Sequence, residues 1–382
     1  MRIAQVTPYF NFPGRGRVGG VLLYVYELSR VLARRGHEVT VYTSGDSLRG
    51  SMLRVPRVAL EYEEGITVRR FPSFDNLYLP GIIPRLENPI PFPSFLSSLC
   101  RECDVIHIHG HEYIISFLAS LAATKNNIPT VLTIHNIGEA LEEFYAIHLL
   151  RKVSDRTLFA FTVNNAKIVI APTKQALKVL RKFKPKQVRC IPLGIGLERF
   201  KNLKMRNDYV LFLGRLEETK RPKDLIKAIP LILKKVKAKF VIAGLGRQYE
   251  YLQHLVNELK ISKYIKFVGW VPYEKIPSLI ANASVVVAPG NAGYSIMEAA
   301  AAKKPIVSAR TEWNQSTIGD KSAIFIKPGN IKELAGAIIK VLTDPEIAET
   351  LAERARRYVE KHASWDVVVE DIINIYEEAI KR

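Results

Sequence analysis

The chain reads as an α/β protein made of two doubly wound, Rossmann-like domains, and three observations carry that reading. Its 382 residues exceed one ordinary hydrophobic core and suit about two domains. Short apolar runs alternate with amphipathic stretches from the start, the pattern of a parallel sheet covered on both faces by helices. The alternation then restarts after a charged stretch holding Gly194 and Gly196, which places a boundary between Gly194 and Asn207.

In chain order, residues 3–8 read as a first buried strand. Residues 21–34 follow as an amphipathic helix, with Leu22, Val25, Leu28, Ser29 and Leu32 at helical spacing on one face. Further strands are expected at 38–43, 66–71, 105–109, 130–134, 168–171 and 188–192. Residues 71–96 break the pattern: Pro72, Pro80, Pro84, Pro89, Pro91 and Pro93 forbid a long helix. That stretch is either an irregular loop packed on its own domain, or an apolar loop turned toward an acceptor or membrane and flanked by Arg69, Arg70 and Arg85. In the second half, strands are expected at 209–213, 240–243, 266–268, 285–288, 306–308 and 323–326. In such domains ligands lie at the carboxyl ends of the strands.

Bulk properties narrow the function. The 48% hydrophobic content fits a globular protein, and no apolar run reaches the roughly 18–20 residues that span a bilayer. The first residues read as a strand and not as a signal peptide, so a cytoplasmic protein is expected, with membrane association left open. The net charge is +19. One run, Lys174, Lys178, Arg181, Lys182, Lys184, Lys186 and Arg189, holds no acid. It is either a solvated face or an attractor of anionic lipid headgroups or substrates. No base-stacking or groove-reading motif accompanies the charge, so nucleic acid is not an expected partner. Three cysteines, Cys100, Cys103 and Cys190, point to reduced thiols. Cys100-x-x-Cys103 beside His107, His109 and His111 is not read as zinc-binding, because a second cysteine pair is lacking and His107 and His109 fall in a strand.

The chemistry concentrates in residues 288–298, where a strand runs into a Gly-bearing turn and an alanine-rich helix. Free backbone N–H groups and a positive helix end then converge on one point, which suits a phosphate. Arg215 and Lys220 follow another strand and could neutralise the same anion, one as a fork and one as a point charge. Glu298 could accept hydrogen bonds from vicinal hydroxyls such as those of a ribose. Residues 14–19 match G-x-G-x-x-G, but the first glycine lies past Pro8 and Pro13, and no acid ends the second strand, which argues against a dehydrogenase. Gly19 and Gly20 instead let the first helix's N-terminus approach a ligand. His135 ends a strand, where a histidine could meet a transferring group, whereas His109 reads as structural.

The ordered set of Gly19-Gly20, residues 104–109, Thr133-Ile134-His135, Ile191-Pro192-Leu193-Gly194, Gly214-Arg215 with Lys220, Phe267-Val268-Gly269, Gly293, Glu298-Ala299 and Lys304-Pro305-Ile306-Val307 resembles the retaining, nucleotide-sugar-dependent glycosyltransferases of the GT-B fold, family 4 (group 1). The resemblance implies an acceptor-side domain over 1–195, completed by a C-terminal helix at 364–382, facing a nucleotide-sugar-binding domain over 196–363 across a cleft. It implies a retaining hexosyltransferase that moves a sugar from a nucleotide diphosphate donor to an acceptor sugar or lipid-linked sugar, with an anionic membrane surface as a further candidate partner. Gly19 and Gly20 would lie against the donor diphosphate and acceptor, His135 would serve catalysis, and Arg215 and Lys220 would grip the pyrophosphate. Backbone N–H groups of Gly293, Tyr294 and Ser295 would bind phosphate, Glu298 the ribose, and Val271 would border the base. With cations on the leaving group, no metal or other cofactor is expected.

Two positions depart from the family pattern. Its Glu-x7-Glu pair has Gly290 in place of the first glutamate, and its Pro-Asn-Gly-x-Asp stretch has Leu193 and Gly196 for Asn and Asp. Either other groups hold the donor sugar, or the chain is a non-catalytic nucleotide-binding protein of the same fold. A sugar-nucleotide epimerase is a third reading, distinguished by converting a donor without an acceptor.

Overall fold

The computed structural model describes residues 1–13, 19–44, 59–74, 90–91, 103–135 and 156–381, together with Phe95, Leu99 and Val153. Residues 14–18, Asp46, most of the proline-rich stretch and Cys100 lie outside the described residues. The chain divides into two compact units, residues 1–194 with 368–382, and residues 195–367. Its last helix, Trp365–Lys381, begins in the second unit and ends in the first.

In the first unit the strands are β1 (Arg2–Val6), β2 (Glu38–Ser44), β3 (Ala59–Glu63), β4 (Ile66–Phe71), the short pair β5 (Ser73–Phe74) and β6 (Ile90–Pro91), then β7 (Val105–His109), β8 (Thr130–Thr133), β9 (Ile168–Ala171) and β10 (Val188–Cys190). Apart from the β5–β6 ribbon they form one sheet in the order β10-β9-β8-β7-β1-β2-β4-β3. The central strands β7, β8 and β9 are buried at every residue, which is why they read as short apolar runs. Ile106, Ile108, Leu132 and Val169 share a core with Ile115, Ala119 and Ala123 of helix Ile114–Lys125. Strand order reverses between β1 and β7, so the carboxyl ends of these neighbouring strands flank a crevice.

Two details depart from the sequence expectation. β1 and β10 stop at Val6 and Cys190, short of Pro8 and Pro192, since proline offers no N–H to a ladder. β3 was not expected: it runs antiparallel to β4 on the sheet edge. A tight two-residue turn, Glu64-Gly65, joins them with φ of 53° and 81°, the backbone of a type I′ hairpin. A glutamate at the first turn position hides that hairpin from a search for Asn-Gly or Asp-Gly.

The second unit holds β11 (Tyr209–Leu213), β12 (Phe240–Ala243), β13 (Ile265–Gly269), β14 (Ala283–Ala288), β15 (Ile306–Ala309) and β16 (Ile324–Ile326). All pairs are parallel, in the order β13-β12-β11-β14-β15-β16. Counted from β11, this is the doubly wound order 3-2-1-4-5-6, with its switch point between β11 and β14. Val210, Phe212, Val285 and Val287 face Leu225, Ile229 and Ile338 from the covering helices Pro222–Leu233 and Ile331–Thr343. Among the described residues no helix is long and apolar enough to cross a membrane.

Candidate active site

At the switch point of the second unit, the chain leaving β11 and the chain leaving β14 are locked together. The single-turn 3-10 segment Glu218–Lys220 packs against the turn after β14. Asn291 N–H donates to the Thr219 carbonyl at 2.9 Å, and Lys220 Nζ donates to the Asn291 carbonyl at 2.6 Å. Gly290 lies under this contact. A Cβ at that position would stand 2.7 Å from the Lys220 carbonyl carbon, 2.9 Å from its oxygen, and closer still to the Thr219 oxygen. From the other side, the fully buried Asn314 accepts from Ala292 N–H at 2.9 Å and donates to the Gly290 carbonyl at 3.0 Å and to Ser308 Oγ at 2.9 Å.

Beyond that turn, Gly293 is the N-cap of helix Tyr294–Ala301, and among the described residues a Cβ on Gly293 would meet nothing within 4 Å. A helix N-terminus opened by a glycine is the kind of place at which backbone N–H groups can meet a phosphate. Tyr294 is buried and Ser295 half-buried in that first turn. Arg215 lies at the carboxyl end of the neighbouring β11, exposed, and among the described residues it has no ion-pair partner. Its backbone is fixed from below. Gly214 N–H donates to the Ala243 carbonyl at 3.0 Å, and a Cβ on Gly244 would collide with the Gly214 carbonyl.

Glu298 is 3% exposed. Its Oε1 lies 3.4 Å from Arg199 Nη1, while Arg199 Nη2 donates to the Tyr273 carbonyl at 2.8 Å. The Arg199 guanidinium stacks on the Tyr273 ring, 3.3 Å from its centroid. A buried carboxylate of this kind needs a paired cation, and Arg199 supplies it. Sequence reasoning missed Arg199, which sits in the 3-10 turn Leu197–Phe200 within the charged boundary stretch. Val271, half-buried, precedes Tyr273 by two positions, so the segment expected to border a base adjoins the Arg199–Glu298 pair.

In the first unit Gly19 and Gly20 stand exposed at the N-terminus of helix Gly20–Arg34, where among the described residues a Cβ on Gly19 would meet only Leu22, at 4.0 Å. His135 follows β8, and its Nε2 lies 3.1 Å from His109 Nδ1 at the end of β7. The rest of that cluster is polar and buried: His109 Nε2 meets Gln5 Oε1 at 2.6 Å, and His107 bridges Tyr376 Oη at 2.6 Å and Thr133 Oγ1 at 2.7 Å. The ring nitrogens of His107 and His109 are thus taken up by protein groups.

Burial pushes all three histidines below their usual range, His107 to about 3, His135 to about 4, and His109 well down. Below about pH 6.5 the unfolded chain takes up protons that the folded unit refuses, so stability falls with acidification at up to about 1.4 kcal/mol per pH unit for each histidine. Denaturant unfolding of the full chain is therefore expected to show a steep loss of stability between about pH 6.5 and 4. A His107→Asn variant should show a shallower loss, and an equally steep loss in that variant would contradict the assignment.

Two doubly wound sheets, each with candidate ligand groups at its switch-point edge, define the class of GT-B glycosyltransferases. The whole chain superimposes on HepE of Anabaena, solved in complex with UDP, with a TM-score of 0.75 and 18% identity over 99% of this chain and 100% of that one. Residues 18–199 match the model of Glycosyltransferase Family 4, and residues 196–358 that of Glycosyl transferases group 1. The chain belongs to this glycosyltransferase family. Among its relatives are D-inositol 3-phosphate glycosyltransferase of Corynebacterium jeikeium, 25% identical over 99% of this chain and 97% of that protein, and alpha-monoglucosyldiacylglycerol synthase of Acholeplasma laidlawii, 27% identical over 88% of each.

Proposed function

We propose that this transferase is a retaining hexosyltransferase that takes a sugar from a nucleotide diphosphate donor and passes it to the hydroxyl of an acceptor sugar or lipid-linked sugar. The observation carrying this reading is the helix N-terminus at Gly293, which shares the switch point of the second unit with Arg215 and Lys220. Cations and helix-end N–H groups stabilise the charge that builds on a departing diphosphate, so the leaving group needs no metal. Glu298, anchored by Arg199, is the group for ribose hydroxyls, and Val271 borders the base. In the first unit Gly19 and Gly20 are assigned to the donor diphosphate and the acceptor, and His135 to the transferring sugar. Retention is attributed to attack on the same face, with the leaving phosphate assisting deprotonation of the acceptor.

A uridine nucleotide is the first donor to try, since HepE was solved with UDP. Relatives named for an inositol phosphate and for a glucosyl diacylglycerol make phosphorylated cyclitols and lipid glycosides the first acceptors. Lys174, Lys178, Arg181, Lys182, Lys184 and Lys186 are exposed, which suits contact with an anionic membrane at which a lipid acceptor would be met. Vesicle flotation with and without anionic lipid tests that contact, and equal recovery from both rejects it. The nucleotide reading is tested by calorimetric titration with UDP, GDP and ADP. One-to-one binding of at least one is expected, and binding of none would overturn it.

A further inference from the structure

We propose that Gln5 and Tyr376 are positioning residues that hold His135 in the tautomer protonated at Nε2, leaving Nδ1 as a hydrogen-bond acceptor for a substrate hydroxyl. This rests on the reading of His135 as the group that meets the transferring sugar. Gln5 on β1 and Tyr376 on the last helix are both fully buried, as are His107 and His109.

The proton positions follow from one short contact. Gln5 and His109 Nε2 approach to 2.6 Å, too close for an amide N–H to face a ring nitrogen, so the amide oxygen faces it and His109 carries its proton on Nε2. A neutral imidazole has one proton, so His109 Nδ1 is a lone pair. The contact of 3.1 Å to His135 Nε2 is then a bond that His135 donates. His135 is half-buried, and among the described residues its Nδ1 has no hydrogen-bond partner.

The same amide is held in place from its other end. Gln5 Nε2 donates to Tyr376 Oη at 3.2 Å, which frees the Tyr376 hydroxyl proton for His107 Nδ1 at 2.6 Å. His107 Nε2–H in turn donates to Thr133 Oγ1 at 2.7 Å, and Thr133 hydrogen-bonds Tyr24, whose ring packs edge-on against His135. In this sense every donor of the circuit meets an acceptor, whereas turning over the Gln5 amide would set an N–H against His109 Nε2 at the 2.6 Å contact. Burial keeps the imidazoles neutral, with Glu112 pulling His135 the other way.

The experiment is ring-nitrogen NMR on the full-length protein labelled with 15N-histidine, with His135 assigned by its loss in His135→Asn. In the wild type, His135 Nδ1 is expected at the shift of an unprotonated nitrogen and Nε2 at that of an N–H. Gln5→Met and Tyr376→Phe should move both signals toward averaged values, while Gln5→Glu, which keeps the acceptor, should preserve the wild-type pattern. In transfer assays Gln5→Met is expected to lower kcat roughly tenfold with KM changed by less than about twofold, and Gln5→Glu to recover most of the loss. A wild-type His135 protonated at Nδ1, or one already averaged, overturns the proposal, as does an unmoved spectrum in Gln5→Met. The wild-type and Gln5→Glu spectra decide the matter should Gln5→Met not fold. If the spectra follow the proposal and no donor is turned over, the transferase reading fails while the tautomer assignment stands.

Discussion

Replacing Arg215 with alanine is expected to weaken nucleoside diphosphate binding by roughly 10- to 100-fold, the worth of one or two charge-assisted hydrogen bonds. The protein's melting temperature should barely change, because the side chain is exposed and has no ion-pair partner among the described residues. That separation makes Arg215 a cleaner probe than Glu298. Removing the Glu298 carboxylate would strand Arg199, whose side chain is 11% exposed, beside Tyr273, so lost affinity would be mixed with lost stability. Arg215→Lys should recover part of the affinity through charge alone, without the fork that two phosphate oxygens can share. Calorimetric titration with the best-binding nucleotide checks this. An Arg215→Ala protein that binds as tightly as the wild type would remove the guanidinium from the site.

Gly290→Glu, which restores the family's pair of glutamates on paper, is expected to damage the protein. The atoms a Cβ would meet, at 2.7 and 2.9 Å and closer, are all backbone of Thr219 and Lys220, so no side-chain rotation relieves them. Overpacking of this kind costs about 1–3 kcal/mol, and here it would also push Lys220 away from Asn291. Gly290→Ala should already show the steric part as a drop in denaturant midpoint, and Gly290→Glu should lose nucleotide affinity at least tenfold as the turn opens. A Gly290→Glu protein with wild-type stability and faster transfer would show that the 219–220 turn yields freely. In this chain Lys220 and Asn314 hold residues 290–292 in a packed turn at the place where the family pattern has a carboxylate.

Much of this arrangement was legible in the sequence, for local reasons. Apolar runs such as Val285-Val286-Val287 mark buried parallel strands, and a Gly-bearing turn before an alanine-rich helix marks a phosphate-sized helix end. Glu298 was marked by its place as the one acid in the first turns of that helix, and Gly290 by the resemblance to a family with two glutamates eight positions apart. What stayed hidden depends on long-range contact. Arg199 reaches Glu298 across 99 positions, and Asn314 reaches the Gly290 turn from the far side of β15. Gln5 and Tyr376 lie 371 positions apart, and nothing in an isolated Gln in a strand or Tyr in an amphipathic helix says that they share a hydrogen bond. The edge strand β3 escaped because Glu61 and Glu63 alternate with exposed Leu60 and Tyr62, which is not the apolar run of its parallel neighbours. Gly244 offered a signal that went unused: a Gly-x-Gly after a strand, Ala243-Gly244-Leu245-Gly246, marks close backbone approach, and it falls on Gly214 and Leu216.

A nucleotide site without the first glutamate is expected still to move a sugar. The most direct test incubates the wild-type protein with nucleotide sugars and a panel of phosphorylated cyclitol and lipid glycoside acceptors, following nucleoside diphosphate release and the anomeric configuration of the product by NMR. Release that depends on the acceptor, with product and donor sharing the same configuration, is the predicted result. Tight nucleotide binding with no donor consumed across the panel would contradict it and leave a nucleotide-binding protein that does not transfer.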